Sequence, residues 1–70
     1  MFATLSSARV GANLKRLIKE SKYRTQEAFA AACHTDPRVV RRWIKEGVNS
    51  LENINYLAEL LETDVMALLF

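Results

Sequence analysis

Four cations in the segment PRVVRRWIK, namely Arg38, Arg41, Arg42 and Lys45, are spaced i, i+3, i+4, i+7, the interval that stacks side chains on one stripe of a 3.6-residue helix. Each guanidinium is a planar fork that can donate two hydrogen bonds to guanine O6 and N7 or to a phosphate, whereas an ammonium acts as a point charge. Val40, Trp43 and Ile44 fall on the opposite side of the same helix. A helix with an apolar back and a basic front suits a groove lined by phosphates and base-edge acceptors. Little else in the chain points to covalent chemistry. One His, one Cys and no paired carboxylates in a cleft-like arrangement argue against an enzyme, and no metal or cofactor is expected. Cys33, following Ala30, Ala31 and Ala32, reads as a small apolar filler of a packed helix.

The basic stripe needs elements to hold it. Ser6 or Ser7 can cap a first helix in which Val10, Leu14, Leu17 and Ile18 form the apolar face, with Lys15, Arg16, Lys19 and Lys22 outside and an end near Lys22. Thr25 is the next N-cap, and Glu27 in the first turn favours the positive end of the helix dipole, so a second helix runs from Gln26 to about Cys33. His34 and Thr35 make the corner. Asp36 followed by Pro37 is a third start signal, a capping carboxylate and then a residue that needs no amide hydrogen. That helix extends to about Glu46, with Gly47 as a left-handed terminus. Ser50 caps a fourth helix whose inward stripe is Leu51, Ile54, Leu57, Ala58 and Leu61, with Glu52, Asn53, Asn55 and Glu59 outward. Thr63 or Asp64 opens a last short helix, Val65 to Phe70, with Val65, Leu68 and Leu69 inward and Met66 and Phe70 exposed. The expectation is an all-α fold of five helices, with residues 1–70 as one domain and residues 1–6 a loose arm.

At 70 residues the chain removes only about 60% of its unfolded surface from water on folding, so its stability is expected to be marginal. No apolar run approaches 18 residues and the opening MFATLSSARVG lacks a secretory stretch, so the expectations are no membrane partner and a cytoplasmic location. The net charge of +2 conceals a strong segregation. All ten Lys and Arg lie at or before Lys45, against Glu20, Glu27 and Asp36, which makes that part +7; the remainder carries five acids and is −5. A positive field of this kind attracts a polyanion and supplies sequence-independent binding by counterion release.

The segment TQEAFAAACHTDPRVVRRWIKEG followed by SLENINYLAELLETDVMALL resembles the helix-turn-helix family of phage repressors, Cro-like proteins and xenobiotic-response-element regulators, the lambda-repressor-like proteins. The resemblance spans roughly Val10 to Leu69. Gly11 opens the first helix, Gln26 begins the second, Ala30 is the small residue where the two helices of the motif touch, and Val40 and Trp43 face the core. Ser50, Leu51, Ile54, Leu57, Ala58 and Leu61 match the fourth-helix pattern. The chain departs from the family at four places: His34 stands at a corner that usually holds Gly, Tyr23 and Arg24 replace Gly and Leu, Lys19 and Ile44 occupy the positions of a buried Arg–Glu link, and the turn after Gly47 is about one residue short.

The resemblance implies a compact lambda-repressor-like domain that binds double-stranded DNA in a sequence-specific way and regulates transcription in a bacterium or phage. The third helix would enter the major groove, with the second lying across the phosphate backbone. Pro37, Arg38, Arg41 and Arg42 become base readers, with Pro37 pressing on a thymine methyl, and at least one guanine is expected per half-site. Thr25, Gln26, Lys45, Asn49 and Ser50 become phosphate contacts. A repressor of this size reads a pseudo-palindromic operator as a homodimer, for which Met66, Leu69 and Phe70 are the candidate surface. No small-molecule substrate is implied. The alternative is an antitoxin-like or adaptor module of the same fold, with its basic face docked on an acidic protein.

Overall fold

The computed structural model describes residues 7–48 and 50–70, with the side chain of Ser7 excepted. Its helices are α1 (Ser7–Glu20), α2 (Gln26–Ala32), α3 (Pro37–Glu46), α4 (Leu51–Leu60) and α5 (Val65–Leu69), and the described residues contain no strand. The proposed caps Ser6 and Asn49's phosphate role fall outside the described residues, as does the arm at residues 1–6.

Each start has a local cause. Thr25 Oγ1 accepts a hydrogen bond from Ala28 N at 3.1 Å, Asp36 Oδ1 from Arg38 N at 3.0 Å and Ser50 Oγ from Asn53 N at 3.3 Å, each satisfying an amide that has no partner inside its helix. Asp64 occupies the cap position of α5 but makes no such bond. The first helix stops at Glu20, two residues short of the expected end near Lys22. Ser21 explains the difference: its hydroxyl donates to Ile18 O at 2.7 Å and accepts from Tyr23 N at 3.1 Å, diverting the chain into a turn.

Helices α2 and α4 end the same way. Thr35 N donates to Ala30 O and Thr63 N to Ala58 O, each 2.9 Å, closing a turn around His34 (φ 57°) and Glu62 (φ 58°). This is the Schellman arrangement with a side chain where glycine is usual. Arg24, just before α2, also has a positive φ of 69°. Gly47 has φ 88° but ψ 174°, so the chain leaves α3 extended instead of curling into the expected left-handed terminus.

The core comprises Val10, Leu14 and Ile18 of α1, Phe29 and Ala30 of α2, Val40 of α3, Ile54, Leu57 and Ala58 of α4, and Leu61, Leu68 and Val48. Leu51 corrects the expected α4 stripe. It is 60% exposed at the first helical position, and Val48, arriving through the extended turn after Gly47, is buried in the core. Phe29 is fully buried and meets the Tyr23 ring edge-on at 5.4 Å between centroids, a preferred aromatic geometry. Val65 and Leu69 are half-buried around the fully buried Leu68.

Gly11 fixes how α3 is seated. A Cβ there would lie 1.9 Å from the Ile44 carbonyl oxygen, so only glycine lets α1 lie this close to α3. The last helix returns to the first: Asn13 Nδ2 donates to Leu68 O at 2.9 Å and Arg9 Nη1 to Phe70 O at 3.5 Å.

Candidate functional site

Helix α3 is held from behind by Val40, which is fully buried, and by Trp43 and Ile44, which are half-buried against the core. Its front carries Arg38, Arg41, Arg42 and Lys45, all exposed, with Pro37 half-buried at the first helical position. The cap and the stripe share chemistry. The Arg38 backbone N–H, reinforced by the charges of Arg38 and Arg41, holds the Asp36 carboxyl below the usual carboxylate range.

Two of the three arginines face a carboxylate. Arg38 Nε lies 3.7 Å from Asp36 Oδ1, and Arg41 Nη1 lies 3.9 Å from Glu27 Oε2 across the α2–α3 corner. Both separations exceed the 2.7–2.9 Å of a charge-assisted hydrogen bond, and all four side chains are more than half exposed. Such exposed pairs are screened by solvent and leave donors of each guanidinium free for a further contact. Arg42 makes no ion pair among the described residues. Asp36, Arg38, Val39 and Arg42 together line a shallow groove of about 270 Å³.

A second open groove, of about 400 Å³, lies between α1 and the start of α2. Thr25 and Gln26 line it together with Lys15, Lys19, Arg24 and Glu27. Sequence reasoning gave Lys15, Lys19 and Arg24 no more than a general attraction. The i, i+4 spacing of the lysines signals a shared face, but their convergence with Arg24 depends on the turn that Ser21 and the positive φ of Arg24 create. Ser50 lies at a third groove, of about 230 Å³, which Arg42, Trp43 and Asn53 also line. Its oxygen already accepts from Asn53 N, leaving its proton to donate.

The remaining candidates separate from this face. Met66 is 57% and Phe70 65% exposed, while Leu69 is half-buried. Leu51 and Tyr56 add to the exposed apolar surface. Cys33 is half-buried against the core, and burial pushes its thiol up, the state of an inert filler. Among the described residues no helix is long and apolar enough to cross a membrane and no acidic, His or Cys cluster could hold a metal. Comparison with known proteins finds no match among family models, curated proteins or solved structures.

Proposed function

We propose that this chain is a sequence-specific double-stranded DNA-binding transcriptional regulator, a helix-turn-helix repressor of the Cro-like kind acting as a homodimer in the cytoplasm. The observation that carries the reading is the outward stripe of Arg38, Arg41 and Arg42 on a helix anchored from behind by Val40 and Trp43. In this mechanism α3 lies in the major groove, and the arginine forks read guanine edges. Thr25 and Gln26 grip a phosphate on one side of α3 and Lys45 and Ser50 grip the backbone on the other. Two copies joined through Met66, Leu69 and Phe70 place their reading helices about 34–36 Å apart, one turn of duplex.

Selection of preferred duplexes from a random pool, followed by titration at several salt concentrations, tests the proposal. The expected result is a guanine-containing, two-fold-related preference whose affinity falls steeply with salt. Binding to an acidic protein with no preference among duplexes would instead assign the chain to the adaptor class.

A further inference from the structure

We infer that Glu27 is a positioning residue for Arg41, holding its guanidinium toward base edges and away from the phosphate backbone, and so sets the preference for a specific over a random duplex. The inference rests on the DNA-reading function proposed above. Glu27 is the one acid of α2, and it stands between two groups of cations: it lines the groove with Lys15, Lys19 and Arg24 and lies 3.9 Å from Arg41. A carboxylate there opposes any phosphate drawn to those cations.

Arg41 carries five N–H donors, and a guanine engages two of them. The other edge of the fork stays open to Glu27, so guanine contact and the Glu27 contact are compatible. A phosphate contact that swings Arg41 off α2 is different, because it leaves Glu27 unpaired beside a polyanion. The 3.9 Å separation suits this role, since it orients the guanidinium without locking it. Asp36 stands in a similar relation to Arg38, but its carboxylate also caps α3, so the two roles cannot be separated there. Glu27 also favours the α2 dipole, a structural role that affects melting but leaves the ratio between two duplexes unchanged.

The test is a cycle of Glu27→Gln, Arg41→Ala and the double variant, titrated against the selected duplex and a random one. Glu27→Gln is expected to raise random-duplex affinity about three- to fivefold without strengthening selected-duplex binding, so that the ratio falls by at least that factor. In the Arg41→Ala background the same change is expected to alter the ratio less than about twofold. Equal strengthening on both duplexes, or an undiminished ratio change without Arg41, would overturn the inference in favour of a general charge effect. Glu27→Asp, which keeps the charge at the start of α2 but shortens its reach, should show part of the ratio loss with unchanged melting, and full wild-type discrimination by it would count against the role. If the wild-type chain discriminates between duplexes and Glu27→Gln leaves that ratio intact, only the role of Glu27 falls. If the wild-type chain binds neither duplex at low salt, the DNA-reading function falls with it.

Discussion

Helices α3 and α4 have the same length, ten residues, and both start on a side-chain cap, yet they divide their surfaces differently between core and solvent. Helix α4 buries Ile54, Leu57 and Ala58 and turns Glu52, Asn53, Asn55 and Glu59 to solvent; α3 fully buries Val40 alone and turns out four cations. The difference follows from how much of each helix's surface the core claims. Helix α3 is seated between α1 and α2 by close backbone approach, with Gly11 against the Ile44 carbonyl, more than by a wide buried stripe of its own.

The largest expected effects test that seating. Gly11→Ala forces α1 and α3 apart, and overpacking of this kind destabilises by about 1–3 kcal/mol despite alanine's better helix propensity. Leu57→Ala hollows the fully buried side of α4 and removes about 2–5 kcal/mol. At about 4–8 °C per kcal/mol in a domain of this size, the melting temperature falls by roughly 4–24 °C for Gly11→Ala and roughly 8–40 °C for Leu57→Ala, measurable by circular dichroism. A Gly11→Ala variant that melts like the wild type would refute the close seating of α3.

Next comes the outward chemistry. Arg41→Ala is expected to leave melting nearly unchanged and to remove about 1–3 kcal/mol of discrimination at one base-pair position, read from a panel of single-substitution duplexes. Lys15→Ala should weaken all duplexes alike or none. Equal loss across the whole panel for both variants would strike Arg41 from the readers.

The corners after α2 and α4 should respond alike, since His34 and Glu62 share one backbone conformation. His34→Gly and Glu62→Gly are each expected to stabilise by about 0.5–1 kcal/mol, as glycine removes the left-handed penalty. Unequal gains in thermal melts would show that one corner draws support from its side chain.

The smallest expected effect distinguishes the two caps by titration. The Asp36 carboxyl is depressed in the folded chain, so its contribution is fully present above the unfolded value near pH 4 and is lost as pH falls through the lower folded value. Asp36→Asn should therefore narrow its stability gap from wild type on acidification from pH 6 toward pH 2. Ser50 does not ionise, so Ser50→Ala should show a gap independent of pH over the same range.

The starts of α2, α3 and α4 were legible in the sequence because caps are local: Thr25, Asp36 with Pro37, and Ser50 each act on an amide within three residues. Periodicity likewise identified Val10, Leu14, Ile18, Ile54 and Leu57 as core. What it missed depends on partners distant in sequence. Val48 replaces Leu51 in the core because of the ψ of Gly47, and Asn13 finds the Leu68 carbonyl 55 residues away. In the candidate site, the outward direction of Arg38, Arg41 and Arg42 followed from spacing alone. The approach of Glu27 to Arg41 and the gathering of Lys15, Lys19 and Arg24 required the crossing of two helices and the shape of a turn.

The meeting of Arg9 and Asn13 with Phe70 and Leu68 has a consequence for how freely this chain could be re-threaded. Since α1 and α5 are neighbours, a circular permutant of residues 7–70 that joins them by a short linker and opens elsewhere on the surface is expected to keep the described helices in place. The position of α3 in the order of synthesis is then incidental, and only its neighbours in space define it.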